Sequence, residues 1–133
     1  MTGWKSVVLG GTITAALLGC RASTEPTRRP GTVVCLHGFL RTRANTWAMA
    51  EALRRDGRQV VNWPYPSRAR SIAGHAEALA GELRRIASER PGEPVSFVTH
   101  SLGALVVRAA LNRPDCPPEA RQGRAVLLAP PNR

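Results

Sequence analysis

Short, mostly apolar runs alternate along the chain with segments whose apolar residues recur at helical spacing. The runs occupy residues 32–36, 59–63, 95–99 and 125–128. Continuous apolar runs of this length, the first three of them rich in valine, are typical of strands that are buried on both faces. Strands that alternate with helices predict a parallel sheet with helices on both faces, here an α/β fold of about four strands.

The segments between the runs carry helix start and stop signals. Thr46 and Ser71 are residue types that favour N-caps, and Gly57 is placed to end the first helix. The second helix is predicted to bury one face, formed by Ile72, Ala76, Leu79, Ala80, Leu83 and Ile86. The third helix is predicted to bury Leu105, Val106, Ala109 and Ala110 and to end at Arg113-Pro114.

The beginning of the chain is typical of an export signal. Residues 7–19 are uncharged and mostly apolar or small. This stretch of roughly 13 residues is shorter than the ~20 that a membrane-spanning helix needs, but it suits the apolar region of a secretory signal. It ends in Leu17-Leu18-Gly19-Cys20, which resembles the bacterial lipobox, where the chain is cut before the cysteine and the cysteine is lipidated. An ordinary cleaved signal and an uncleaved anchor are the alternatives.

These features predict three parts: a signal peptide at 1–19, a lipid-anchor cysteine with a flexible linker at 20–30, and a globular domain at 31–133. Arg21 is not the aspartate that often retains such proteins at the inner membrane. The resemblance therefore favours an exported protein anchored through Cys20 to a bacterial membrane, with the outer membrane, on its periplasmic side, preferred.

Charge gives a weaker indication of partners. The net charge is +10, and Lys5 is the only lysine among 19 basic residues. The arginines form no long run, and only 5% of residues are aromatic, so platforms for stacking nucleic-acid bases are scarce. We interpret the arginines as solvated faces of helices and expect no nucleic-acid partner. Binding to an anionic surface is the alternative.

The cysteines indicate no metal site. Cys20, Cys35 and Cys116 match no zinc-ligand spacing, and no phosphate-cradling glycine loop is present. We therefore predict neither a metal nor an organic cofactor. Cys35 lies in an apolar run and Cys116 in a proline-rich turn, and a disulfide between them is left open.

The first chemical motif is Thr99-His100-Ser101-Leu102-Gly103, between a predicted strand and a predicted helix. A serine on such a turn presents its hydroxyl at the C-terminal edge of the sheet, and small residues two positions away let strand and helix approach closely. The N–H of Leu102 would point toward a substrate oxygen. Thr99 stands where glycine is most common, and it is small enough for the turn to survive.

The second motif, His37-Gly38-Phe39-Leu40, follows the first strand. Gly38 permits backbone geometry that would strain other residues, so the N–H of Phe39 or Leu40 can be aimed at the same oxygen. The two motifs together are far more specific than either one alone.

With these motifs the chain resembles the α/β-hydrolase superfamily, and within it the bacterial esterase and lipase group. The matching stretches, over residues 31–133, are VVCLHGFLRTRANTW, VVNWPYPS, VSFVTHSLGALVVRAAL and AVLLAPPN. The resemblance implies a serine hydrolase acting on carboxylic, possibly lipid-like, esters. It implies Ser101 as nucleophile, Phe39 and Leu102 as oxyanion donors, and His37, Gly38, His100 and Gly103 as residues that shape the site.

The acid and the base of such a site are not evident in the sequence. In the family both follow the serine, but no histidine follows Ser101, and Asp115 and Glu119 are the only carboxylates after it. Asp115 should lie at the far end of the third helix. We therefore expect a truncated hydrolase fold of uncertain activity. A non-catalytic remnant and a basic protein that binds anionic surfaces are the alternatives.

Overall fold

The computed structural model describes residues 31–131. The predicted signal peptide, Cys20 and its linker therefore lie outside the described residues, as does Asn132. The described elements are strands β1 (Thr32–Leu36), β2 (Gln59–Asn62), β3 (Val95–His100) and β4 (Ala125–Leu128), helices α1 (Trp47–Arg55), α2 (Ile72–Glu89), α3 (Leu102–Leu111) and α4 (Glu119–Gln122), and a 3₁₀ turn at Arg43–Thr46.

The four strands form one parallel sheet in the order β2-β1-β3-β4. In its middle, Val34 of β1 is in register with Val61 of β2 and Phe97 of β3. All five residues of β1 are buried, as a strand covered on both faces must be. The predicted α/β fold with a four-stranded parallel sheet is thus confirmed.

Helices cover both faces of this sheet. On one face α2 and α3 pack against Val34 and Leu36 in the larger core, and on the other Ala50 of α1 packs against Val33 and Cys35. The alternation of side chains along β1 assigns neighbouring residues to opposite cores. Cys116 belongs to the larger core and Cys35 to the smaller one, and both are free thiols, so they form no disulfide with each other here.

Two helix predictions were wrong in detail. Ile72 is 40% exposed, although the other five apolar residues of its predicted face are buried. In α3 the buried set is Gly103, Ala104, Val106, Val107 and Ala110, so Leu105 and Ala109 are only half-buried. The buried face of α3 differs from the predicted one because glycine and alanine at 103 and 104 let the start of the helix lie directly on the sheet.

Helix boundaries also differ from the sequence-based expectation. Ser71 caps α2, its hydroxyl accepting a hydrogen bond from the N–H of Gly74 at 3.2 Å. Thr46 makes no such bond; Thr42 caps the preceding 3₁₀ turn instead. Helix α3 ends at Leu111, and α4, only four residues long, was not predicted. None of the helices within residues 31–131 combines the length and hydropathy needed to cross a bilayer.

Strand β4 leaves an apolar edge open in the described part of the chain. It pairs with β3 on one side and with no other strand among residues 31–131. Val126 and Leu128 are 51% and 42% exposed. An edge of this kind offers unpaired backbone groups and apolar side chains to any neighbouring chain.

Replacement by alanine should have opposite effects on stability at two helical glycines. A Cβ at Gly103 would lie 2.9 Å from the Leu36 Cβ and 3.1 Å from the His37 carbonyl oxygen, whereas at Gly81 of α2 its nearest neighbour is the guanidinium end of Arg84 at 3.8 Å. We expect Gly81→Ala to raise the free energy of unfolding by about 0.5–1 kcal/mol. Gly103→Ala should lower it by roughly 1–3 kcal/mol through overpacking. Urea denaturation measures both, and equal stabilisation by the two variants would contradict the close packing at Gly103.

Candidate active site

Ser101 occupies a sharp turn at the C-terminal edge of the sheet. Its backbone has φ 49° and ψ −117°, between the last residue of β3 and the first of α3. A positive φ is uncommon outside glycine and persists where the surrounding structure enforces it. Here the N–H of Ser101 donates to the carbonyl of Leu128 at 2.9 Å, which ties the turn to strand β4. The Ser101 hydroxyl does not cap α3 and so is not committed to the helix.

Gly38 brings the loop after β1 against this turn. A Cβ at Gly38 would lie 3.2 Å from the Ser101 Cβ and 2.8 Å from His100 Nδ1. Any larger residue would therefore push the loop away from the serine. Gly103 allows a second close approach next to the turn, since its lack of a side chain lets α3 lie against the end of β1. The two sequence motifs, distant along the chain, meet at this point.

The loop that follows Gly38 exposes backbone donors. The N–H of Arg41 donates to the Gly38 carbonyl at 3.2 Å and closes a turn in which Leu40 has φ 57°. Within residues 31–131 no acceptor takes a hydrogen bond from the N–H of Phe39, Leu40 or Leu102. Phe39 and Leu40 are also 54% and 62% exposed, so a ligand can reach this loop. Such free amides near a serine hydroxyl are suited to binding a developing oxyanion.

His37 supports the loop from beneath. It is buried, with Nδ1 2.9 Å from the Gly38 carbonyl oxygen, to which that nitrogen donates when it carries the proton. The Tyr65 hydroxyl donates to the His37 carbonyl at 2.6 Å, and the two rings stack with centroids 4.3 Å apart. With its ring held on Tyr65 and its Nδ1 engaged by a carbonyl, His37 has the contacts of a residue that fixes the loop.

Tyr65 in turn contacts a second buried histidine. Its ring meets His75 of α2 edge-on at 5.0 Å and stacks on Trp63 at 5.2 Å. Burial raises the pKa of Tyr65 to about 12. His75 Nε2 is buried and has no hydrogen-bond partner in residues 31–131. Burial lowers the pKa of His75; a hydrogen bond with the Ser67 backbone opposes this shift, and electrostatic repulsion from Arg70 adds to it. His75 is therefore held neutral in the core, where its ring packs against Tyr65.

His100 is the exposed imidazole beside Ser101. It lines a cavity of about 370 Å³ together with Gly38, Arg41 and Leu128. Thr99, on its other side, is fully buried in register with Leu36 and Leu127, and its hydroxyl has no partner among the described residues. A small side chain is thus what the sheet requires at position 99, and glycine is not needed there.

The carboxylates after Ser101 serve other contacts. Asp115 forms ion pairs with Arg84 at 2.7 Å and Arg113 at 2.9 Å, and its pKa is lowered mainly by the hydrogen bond from Arg113. Glu119 accepts a hydrogen bond from the N–H of Gly92 at 3.1 Å. In residues 31–131 no imidazole contacts a carboxylate, and no group of histidine, cysteine and acidic side chains is arranged to hold a metal.

A cluster of arginines beside this loop was not predicted from the sequence. Arg54, Arg84 and Arg85 do lie on exposed helix faces in ion pairs, as predicted. Arg41, Arg43 and Arg68 instead line one cavity of about 910 Å³ between the loops that follow β1 and β2. Arg41 and Arg43 directly follow the His37–Leu40 motif, and that proximity is the signal that could have separated them from the helix arginines.

The depressed pKa of His75 predicts acid sensitivity. Above pH 6.5, its ordinary pKa, His75 is neutral in both the folded and the unfolded chain. Below pH 6.5 the unfolded chain binds a proton at His75, whereas the folded chain does not until the pH reaches its lower pKa. The free energy of unfolding should therefore fall as pH drops below 6.5 toward the lower folded-state pKa, by at most about 1.4 kcal/mol per pH unit for one proton. Denaturation at pH 7.5 and pH 5.5 should show this loss reduced in His75→Phe. Tyr65→Phe, which removes a group that titrates far above this range, should retain it.

Comparison with known proteins agrees with this geometry. The family described as Putative serine esterase (DUF676) matches residues 30–127, more than half of the chain and the whole span from β1 through the Ser101 turn. No curated protein matches the chain. The parallel sheet except Leu128, the turn at Ser101 and the adjoining glycine loop lie within the matched range. The chain therefore belongs to the putative serine esterase family DUF676.

Proposed function

We propose that this protein hydrolyses carboxylic esters through an acyl-enzyme formed on Ser101. The hydroxyl oxygen attacks the ester carbonyl carbon, the alcohol leaves with a proton, and water then releases the acid and regenerates the serine. One observation carries the proposal: Ser101 is held at positive φ at the edge of the sheet, directly beside Gly38. Strained backbone at such a turn is characteristic of an exposed nucleophile.

The tetrahedral intermediate needs donors for its oxyanion. The N–H groups of Phe39 and Leu102 fit this role because they come from separate loops that meet at Ser101 and have no other acceptor among residues 31–131. The N-terminus of α3 adds a partial positive charge at the same place. An amide of this kind is worth roughly 3–4 kcal/mol of transition-state stabilisation in serine hydrolases.

The mechanism also needs a base that accepts the proton of the Ser101 hydroxyl. His100 is exposed beside Ser101, but within residues 31–131 no carboxylate orients it. That observation favours a second candidate, a non-catalytic protein that keeps the turn without turnover. The two candidates share the fold and differ in whether the Ser101 hydroxyl reacts.

The substrate and the location follow from different parts of the chain. The exposed apolar loop residues Phe39 and Leu40 suit esters with an apolar portion, so lipid-like esters are the substrates we favour. The lipobox-like sequence ending at Cys20 supports anchoring of the enzyme to a bacterial membrane. An anchored esterase would meet such substrates at the membrane surface.

The reactivity of Ser101 is tested with a fluorophosphonate probe on the full chain. We expect one phosphonyl group per chain by intact mass, and no adduct in Ser101→Ala. Turnover of 4-nitrophenyl butyrate should fall by at least roughly 1000-fold in the same variant.

Ser88→Ala is the matched control, because Ser88 lies on the exposed part of α2 and its hydroxyl contacts only the carbonyl of Arg85. It should label as the wild type does. A folded wild-type chain that takes no label, or a Ser101→Ala chain that labels equally, would favour the non-catalytic candidate.

Lipid attachment is tested separately by expression with an alkyne-bearing fatty acid in a bacterial host. The label should be incorporated into the wild-type chain and lost in Cys20→Ser, because only a thiol at that position can be acylated. Cys116→Ala, which removes a buried thiol of the core, should keep the label. Retention of the label in Cys20→Ser would rule out anchoring through Cys20.

A further inference from the structure

A cavity beside the loop after β1 combines an apolar wall with three arginines. It has a volume of about 910 Å³ and lies between the loop after β1 and the loop after β2. Leu40, Pro64 and Pro66 contribute apolar surface, and the charged lining residues are Arg41, Arg43 and Arg68. No carboxylate of residues 31–131 lines it. This composition is typical of a site for a molecule with an apolar body and an anionic group.

The positive charge of this cavity is not neutralised by the described part of the protein. The ion pairs in residues 31–131 engage Arg54, Arg58, Arg84, Arg85, Arg90 and Arg113. The arginines at the cavity take part in none of them. A planar guanidinium binds phosphate and carboxylate groups through paired hydrogen bonds, so three of them around one cavity select for an anion.

The cavity is joined to the serine by the glycine loop. Arg41 lines both this cavity and the smaller one that contains Gly38 and His100, and Gly38 packs against Ser101. His37 also lines both cavities and, stacked on Tyr65, gives them a rigid wall. A molecule whose ester lies at Ser101 can therefore extend past the loop toward the arginines.

We propose that this cavity, called here the arginine cavity, binds the anionic group of an amphipathic ester, with Arg41 and Arg68 as its principal contacts. The anion is a phosphate or a carboxylate attached to the apolar part of the molecule. This assignment rests on the proposed esterase function, since it specifies which esters the enzyme selects. Binding itself requires no reaction at Ser101.

The test is calorimetric titration of the full-length Ser101→Ala chain with monomeric octyl phosphate, compared with 1-octanol. Using Ser101→Ala separates this outcome from the fate of the esterase proposal, because no turnover is involved. Octyl phosphate should bind more tightly than octanol, and its affinity should decrease with added salt. Arg41→Gln and Arg68→Gln should each weaken binding about fivefold, as expected for exposed charge pairs.

Arg124→Gln is the matched control. Arg124 is exposed and precedes β4, at the opposite edge of the sheet, and the variant removes the same charge. It should leave the affinity for octyl phosphate unchanged. Equal weakening by all three arginine variants would overturn the proposal, because binding would then reflect net charge alone. Equal binding of octyl phosphate and octanol would exclude a free amphipathic anion as the source.

Vesicles distinguish the source of the anion. Flotation with phosphatidylglycerol vesicles, compared with phosphatidylcholine vesicles, reports on a lipid headgroup, and the octyl phosphate titration reports on a free amphipathic anion. Loss of binding in Arg41→Gln and Arg68→Gln, but not in Arg124→Gln, supports the arginine cavity in either experiment. Such a loss in the flotation identifies a lipid headgroup as the source of the anion, and such a loss in the titration identifies a free amphipathic anion. Absence of such a loss in both arms would refute the assignment.

Discussion

Three backbone segments meet at the C-terminal edge of the sheet, and two glycines allow them to do so. Gly38 leaves room for Ser101 and His100, and Gly103 lets α3 rest on the end of β1. The strained backbone of Ser101 is held between these contacts and its hydrogen bond to strand β4. Strain of this kind persists only where the surroundings fix it, so the exposure of the Ser101 hydroxyl depends on the close packing at this edge of the sheet.

The same loop connects the serine with the rest of the proposed site. The N–H groups of its residues Phe39 and Leu40 have no acceptor within residues 31–131, while its next residue, Arg41, lines the neighbouring cavity. The loop is stabilised from below by the stack of His37 on Tyr65, and Tyr65 contacts the neutral His75 in the core. Buried imidazoles therefore serve as structural supports here, which separates them from the exposed His100 at the site.

Local patterns identified the elements well because their signals are local. The Ser71 cap and the buried face of α2 depend on residues close in sequence, and both were correct apart from Ile72. The buried face of α3 was predicted less well because the close approach at Gly103 turns the helix, and that approach depends on β1, a distant segment. Likewise Thr46 occupies the N-cap position of α1 but makes no capping hydrogen bond, and Thr42 caps the 3₁₀ turn that precedes it.

The sequence by itself determined the fold class and the positions of the Ser101 turn and the glycine loop, because each is marked by a pattern of neighbouring residues. Tertiary structure alone decided which arginines pair with carboxylates and which, such as Arg41 and Arg68, share a cavity. It also decided that His37 and His75 are buried against Tyr65. Those outcomes depend on the order β2-β1-β3-β4, which places the loops after β1 and β2 side by side. Contacts between side chains of distant segments are properties of that three-dimensional neighbourhood, and local sequence patterns do not specify them.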